Sequence, residues 1–191
     1  MFDAPSGPVL GIDPGLTRCG YGAVDRQGGT LVAVACGVVA TDPHAGLAER
    51  LAALEAEIDA IVAEISPRAL AVERLLFQHN VRTAVAVGQA SGVVLASAAR
   101  HGVPVAHYSP NEVKLAVTGS GTAGKAQVQA MVTQLLRLTS PPSPVDAADA
   151  LALALCHAWS SSLRSVAIST TGASARLQRA VAQALAREEA S

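Results

Sequence analysis

Two five-residue stretches constrain this chain most: Val9-Leu-Gly-Ile-Asp13 and Ala69-Leu-Ala-Val-Glu73 are apolar until their last residue, which is a carboxylic acid. Each is bounded by breakers, Asp13-Pro14-Gly15 after the first and Ser66-Pro67 before the second. Short apolar runs so bounded read as buried strands. Gly20 to Asp25 and Leu31 to Ala40 read as two more, with Arg26-Gln-Gly-Gly29 as their hairpin. Leu47, Leu51, Leu54, Ile58, Ile61 and Ile65 recur by three and four, which predicts an amphipathic helix from Leu47 to Ile65 with that stripe inward. A helix rich in Ala and Gly is expected from about Arg82 to Arg100, and a strand from Val103 to His107. Ser109-Pro-Asn-Glu112 is a capping-box pattern, so a helix starts there and stops at Gly119-Ser-Gly121. A further helix from Lys125 to Leu138 carries Val128, Met131, Val132, Leu135 and Leu136 on one side. After the connector Pro141-Pro-Ser-Pro144 a last helix runs from Asp146 to about Trp159. The order describes a mixed sheet flanked by α-helices, an α/β fold.

With 50% hydrophobic residues but only 3% aromatic ones, the core is built from Ala, Val, Leu and Ile. Aromatic base-stacking platforms of the single-strand binders are therefore not expected. The 191 residues suit one domain, taken as residues 1–160, followed by a Ser- and Ala-rich tail over 161–191 expected to be mobile or lightly packed. A net charge of −1 neither announces nor excludes a nucleic-acid partner, because the field a ligand feels is local. Cys19, Cys36 and Cys156 are odd in number and lack any C-x-x-C spacing. They read as small buried residues in a reducing compartment, not as a disulfide frame or zinc site. No signal peptide or membrane-length apolar run is visible, so the expected location is the cytoplasm, with no membrane partner.

The chemistry lies where apolar runs meet acids. Asp13 and Glu73 end strands, the places where ligands sit in open α/β sheets. Asp146 and Asp149 are three apart, hence on one helix face, in an otherwise Ala- and Leu-rich segment. Asp146 alone is explained equally by helix capping, worth about 1 kcal/mol; Asp149 is not. If all four converge, each close pair repels by roughly 4 kcal/mol at about 4 Å and an effective dielectric of about 20. All-oxygen ligands without His or Cys select Mg²⁺ or Mn²⁺, and two such ions can activate a water and steady the leaving oxygen of a phosphodiester.

The residues also match a known pattern. Gly11-Ile-Asp-Pro-Gly-Leu-Thr-Arg-Cys-Gly20, Ala71-Val-Glu-Arg74 and Asp146-Ala-Ala-Asp-Ala-Leu151 resemble the three acidic motifs of the RuvC family of Holliday-junction resolvases. Tyr108-Ser-Pro-Asn-Glu-Val-Lys114 through Gly119-Ser-Gly-Thr-Ala-Gly-Lys-Ala-Gln-Val128 resembles a further family segment. The likeness runs from Val9 to Trp159. It implies a ribonuclease H-like fold and a homodimer that cuts a four-way DNA junction symmetrically in recombination and repair, delivered by a branch-migration helicase complex. Asp13, Glu73, Asp146 and Asp149 fall on the catalytic acids holding two Mg²⁺ per subunit, with Mn²⁺ as a substitute and Asp13 bridging. Lys114 and Lys125 fall on lysines facing DNA phosphates; read alone they are ordinary helix-surface charge. The family often carries an aromatic three residues after the second motif's Glu; here that position is Leu76, with Phe77 beside it. The stretch from Leu75 to Asn80 is then the junction-probing loop, or else a plain connector with a buried Phe. Arg74, His79 and Arg82 are candidates for DNA-backbone contacts, whereas His107 ends a strand as a packed or surface residue. Gly119 to Gly124 lacks the Gly-Lys-Ser/Thr ending of a nucleotide loop and reads as a flexible loop near DNA.

Three other readings remain open from the residues. Actin-like ATPases and sugar kinases also begin with a strand ending in Asp-x-Gly-x-Thr, but need a second such domain, for which this chain is too short. The others are an RNA-processing nuclease of the same fold and a module that binds branched DNA without cutting it.

Overall fold

Five strands form one sheet: β1 (Val9–Asp13), β2 (Arg18–Gln27), β3 (Thr30–Ala40), β4 (Ala69–Glu73) and β5 (Val105–Tyr108), in the order β3-β2-β1-β4-β5. The first three run antiparallel in sequence, while β4 lies parallel to β1 and β5 parallel to β4. Helices α1 (Leu47–Ile65) and α2 (Val81–Arg100) flank β4 in the chain; α3 (Pro110–Thr118), α4 (Lys125–Leu135) and α5 (residues 145–160) follow β5. This is the mixed sheet with flanking helices that the sequence predicts. The structure, a computed structural model, describes residues 7–74 and 81–160, and of Val81 and Arg82 the backbone alone. Among the described residues, those up to 158 form one compact unit that holds the sheet, its packed helices and the acids.

The two faces of the sheet differ because alternate residues along a strand point to opposite sides. Leu10, Ile12, Cys19, Ala23, Leu70 and Val72 pack into one cluster with Leu54, Ile58 and Val62 of α1 and Ala90, Val94 and Ala98 of α2. The alternate positions are small, Gly11, Gly20, Gly22, Ala69 and Ala71, and at the strand ends acidic, Asp13 and Glu73. On this second face lies α5, with Ala147, Ala150, Leu151 and Ala154 all buried. The fit leaves no room for a methyl group. A Cβ on Gly11 would collide with the Ala150 carbonyl oxygen and approach the Ala154 nitrogen to 2.8 Å. One on Gly20 would strike the Asp146 carbonyl, and one on Gly22 would meet Leu151 Cγ and N at 2.7 Å. None of these glycines has a positive φ, so space rather than backbone conformation is what they provide.

Local signals place most element ends. Ser109 caps α3 by accepting from the Glu112 N–H at 3.3 Å, while Glu112 Oε2 accepts from the Ser109 N–H at 2.7 Å, with Pro110 first in the helix. Gly119 ends that helix at φ 77°, and Ser66 ends α1 in the left-handed region. Several expectations need correction. Leu47, the first residue of α1, is exposed because it lies beyond the cluster that Leu51 enters; Val62 completes the inner stripe instead. The strand begins at Val105, since the Val103 N–H is used to close α2 on the Ala98 carbonyl. The α4 helix stops at Leu135, where the chain turns through Arg137 at φ 52°. Cys36 is exposed on β3, unlike the buried Cys19 and Cys156. Among the described residues no helix is long and apolar enough to cross a membrane.

The seam between α5 and the sheet generates a test. Gly11→Ala is expected to destabilise the chain by about 3 kcal/mol, the upper end for overpacking, because the obstacle is helix backbone rather than a side chain free to swing. Urea unfolding measures this; a loss below about 0.5 kcal/mol, ordinary for a surface change, would mean that α5 can lift freely.

Candidate active site

The parallel pairing of β1 with β4 runs in register from Val9 opposite Ala69 to Ile12 opposite Val72. The next residue on each strand is Asp13 and Glu73, so the two carboxyls leave the sheet side by side, at the strand ends that open α/β sheets use for ligands. On the other side of β1, Asp13 pairs with Gly20, the residue against which the Asp146 backbone rests. The same contact that seats α5 therefore brings Asp146 beside Asp13. Asp149 follows one turn later on the same face. Asp13, Glu73 and Asp149 line an open cleft of about 190 Å³ together with Lys114 of α3 and Lys125 of α4, over a floor that includes Val113, Val128, Ala152 and Leu153.

Burial, then the charges of Glu73 and Asp149 and last that of Asp146, push the Asp13 carboxyl up to about 7, against a smaller lowering by Lys125. Glu73 is also raised, first by burial and then by Asp149, while a hydrogen bond from the Asp13 carboxyl opposes the rise. A pair that shares a proton in this way is the response of like charges that cannot all ionise. The two α5 acids are balanced differently. Arg18 Nε donates to Asp146 Oδ2 at 2.8 Å, and Lys125 Nζ donates to Asp149 Oδ2 at 3.1 Å. That second hydrogen bond raises the Lys125 ammonium above its usual range, yet with 74% of the side chain exposed it contributes little stability.

Asp146 does not cap α5. The helix starts at residue 145, which places Asp146 inside its first turn, and the carboxylate is bonded to Arg18. Among the described residues no three His, Cys, Asp or Glu side chains close tightly enough to hold an ion as they stand. The donor set nonetheless fits a hard divalent cation. It is all carboxylate and partly buried, and burial with the charges of Glu73 and Asp149 pushes Asp13 up to about 7 despite Lys125.

The remaining candidates are dispersed. Arg74 is exposed directly after Glu73, its N–H bonded to the Tyr108 carbonyl at 2.7 Å and its guanidinium reaching the His107 carbonyl at 3.5 Å. His107 lies exposed within β5 rather than at its end. Leu76, Phe77 and His79 lie outside the described residues, as do the side chain of Arg82 and the tail from residue 161. Arg18 was not singled out by sequence reasoning. Its signal was available as a cation five residues after a strand-end acid, in a loop tight enough that a Cβ on Gly15 would strike the Arg18 carbonyl. Cys19 is no rival nucleophile: burial pushes its thiol up to about 12.

A family model described as crossover junction endodeoxyribonuclease RuvC matches residues 9–157. The crossover junction endodeoxyribonuclease RuvC of Salinispora arenicola is 57% identical over 158 residues, covering 82% of this chain and 90% of the relative. The RuvC structure of Thermus thermophilus superposes with a TM-score of 0.76 at 38% identity, over 82% of this chain and 96% of that one. The structure of T. thermophilus RuvC in complex with Holliday junction substrate superposes at 0.75 with 36% identity, over the same shares of both chains.

The raised Asp13 carboxyl predicts how the metal-free chain responds to pH. A carboxyl whose pKa rises on folding favours the folded state while protonated. Its contribution is complete below the ordinary value of 3.8 and is lost as pH climbs to about 7. In EDTA, Asp13→Asn is therefore expected to be more stable than the parent at pH 8, by about 2 kcal/mol or roughly 5 °C in Tm. The difference should shrink toward acid pH, and Mn²⁺ should raise the Tm of the parent only. A parent as stable as the variant at pH 8 in EDTA would show that the acids do not repel.

Proposed function

The chain belongs to the RuvC family of crossover junction endodeoxyribonucleases, and we propose that the acids gathered by β1, β4 and α5 are where it cuts DNA. It is a junction-resolving, metal-dependent endonuclease of recombination and repair with a ribonuclease H-like fold. The observation that carries the assignment of the site is the convergence of Asp13, Glu73 and Asp149 on one cleft with Lys114 and Lys125, where burial and the neighbouring carboxylates push Asp13 up to about 7. Such a cluster is at odds with the stability of an empty protein and is resolved by divalent cations.

In this reading Asp13, Glu73, Asp146 and Asp149 hold two Mg²⁺ ions, with Mn²⁺ able to substitute. When bound, the ions lower the pKa of an attacking water and offset charge on the leaving oxygen of the phosphodiester. The chain's own residues do the rest. Asp13, central between β4 and α5, would serve both halves of the cluster and would lose its proton to solvent on metal binding. Glu73 beside it orients the attacking water. Lys114 and Lys125 draw the DNA backbone across the cleft, and the buried apolar floor of Val113, Val128 and Leu153 limits water there. Arg74, His79 and Arg82 add backbone contacts, while Leu76 or Phe77 from the 75–80 segment probes the junction core. Cutting opposite strands of a four-way junction requires two such sites, hence a homodimer, and junctions reach it from a branch-migration helicase complex. Residues 1–160 form the nuclease domain, residues 161–191 a tail, and the enzyme works in the cytoplasm.

Two outcomes test this. On a synthetic four-way junction the chain should make paired nicks on opposite strands with Mg²⁺, and none with EDTA or on linear duplex. Asp13→Asn should lose about a thousandfold or more in single-turnover cleavage rate, on the scale of losing a principal catalytic group, while junction affinity stays within about threefold. Junction binding without cutting in either metal would leave a binding module; preference for structured RNA would reassign the substrate.

Lys114 lines the cleft and makes no ion pair among the described residues. Lys114→Ala is expected to flatten the slope of log affinity against log salt by about 1. An unchanged slope in a fluorescence-anisotropy titration would remove Lys114 from the DNA interface.

A further inference from the structure

The acids of α5 are each held by one basic side chain, Asp146 by Arg18 at 2.8 Å and Asp149 by Lys125 at 3.1 Å, whereas Asp13 and Glu73 make no ion pair among the described residues. Lys125 comes from a helix on the cleft wall. Arg18 opens β2, directly after the loop that follows Asp13, and that loop is braced. The Thr41 N–H donates to the Thr17 carbonyl at 3.2 Å, and Thr41 Oγ1 donates to the Leu16 carbonyl at 2.5 Å. Arg50, from the first turn of α1, donates through Nε to Thr41 Oγ1 at 2.9 Å and through Nη2 to Thr17 Oγ1 at 2.7 Å. Arg50 has no carboxylate partner among the described residues; its guanidinium serves to tie the hydroxyls of this loop together. A loop fixed at Leu16 and Thr17 leaves Arg18 little choice of where to begin its reach.

The ion pair it makes is nonetheless easily broken. It consists of one hydrogen bond, and 49% of the Arg18 side chain and 31% of the Asp146 side chain are exposed. Pairs this exposed contribute little to stability. Strength enough to orient a carboxylate, combined with weakness enough to yield to a doubly charged ion, is what a temporary counter-ion requires.

We propose that Arg18 is a positioning residue that holds the Asp146 carboxylate in place of a divalent cation, and that metal entering the cluster must displace it. The proposal rests on the metal-binding reading of the four acids. In the metal-free chain Arg18 offsets the repulsion between Asp146 and Asp13, so the first turn of α5 can stay seated on Gly20. When a cation arrives, the guanidinium competes with it for the same carboxylate and repels it. Arg18 therefore sets a threshold for metal loading that no purely structural role would produce: removing it tightens metal binding.

The test is Mn²⁺ titration by calorimetry on the full-length, metal-free protein without DNA, for the parent, Asp13→Asn, Arg18→Gln and Arg18→Lys. Arg18→Gln removes the charge; Arg18→Lys keeps it. The parent should bind Mn²⁺ and Asp13→Asn should not, which establishes the cluster as the site being measured. Arg18→Gln should then bind Mn²⁺ roughly three- to tenfold more tightly than the parent, and Arg18→Lys should stay within about twofold, since charge rather than shape decides. On junction DNA, half-maximal cleavage by Arg18→Gln should need correspondingly less Mn²⁺. Unchanged or weaker Mn²⁺ binding by a folded Arg18→Gln overturns the proposal, as does equal tightening by both variants. If Arg18→Gln does not fold, a parent-like affinity in Arg18→Lys supports the proposal and a weakened one overturns it. Absence of Mn²⁺ binding in the parent, or binding that survives Asp13→Asn, overturns the metal-site reading first and this proposal with it.

Discussion

Everything at the acid cluster depends on how closely α5 can approach β1 and β2. A helix packed on a sheet through ordinary side chains stands about 10 Å away, too far for its backbone to touch the strands. Here Gly11, Gly20 and Gly22 present bare backbone to Ala150, Asp146 and Leu151, and the helix answers with alanines at 147, 150 and 154. The approach carries Asp146 down to the level of Asp13. Leu151 and Leu155 of α5 are fully buried, as are Val9 and Val24 at the alternate strand positions, so apolar burial holds this face too. The partner face packs Leu10, Ile12, Leu70 and Val72 against α1 and α2. Both faces stabilise, and the α5 face also positions the acids.

What the seam positions is a set of charges that resist being positioned. Asp13 meets the conflict by retaining a proton to about pH 7, Glu73 by accepting a hydrogen bond from it, and Asp146 and Asp149 by pairing with Arg18 and Lys125. Each is a partial solution suited to its depth. The two carboxyls at the strand ends are partly buried beside each other and share a hydrogen bond; the two on the helix pair with basic side chains. That difference accords with the finding that, among the described residues, no three acids close on one point. A cluster already collapsed into ligand geometry would carry the full repulsion with nothing to offset it.

Much of this was legible in the residues. Strands that are apolar until a terminal acid announced both the sheet and the side of it that matters, and the Ser109 capping box and the Leu54–Ile58 stripe fixed their helices through local chemistry alone. The three acidic motifs together were enough to name the family before any geometry was known. What remained hidden was pairing across long separations. That Asp146 is bonded to Arg18 rather than capping α5 depends on where α5 lands, 128 residues later in the chain, and no local pattern encodes it. The exposure of Leu47 and Cys36 failed for the same reason: periodicity says which residues share a face, not how far the opposing surface extends.

Because close packing and positioning fall on the same face, the glycines and the acids form one device. Enlarging a residue on the α1–α2 face would strain a core able to repack among flexible side chains. Enlarging one on the α5 face meets helix backbone, which can relax only by moving the helix and with it two of the four carboxylates. The metal-free protein accordingly carries unfavourable electrostatics on its most sterically constrained surface. Functional sites commonly hold such conflicts, where local stability yields to chemistry. The repulsion cannot relax outward without lifting α5 away from the strand-end acids, so packing and electrostatics on this face oppose each other.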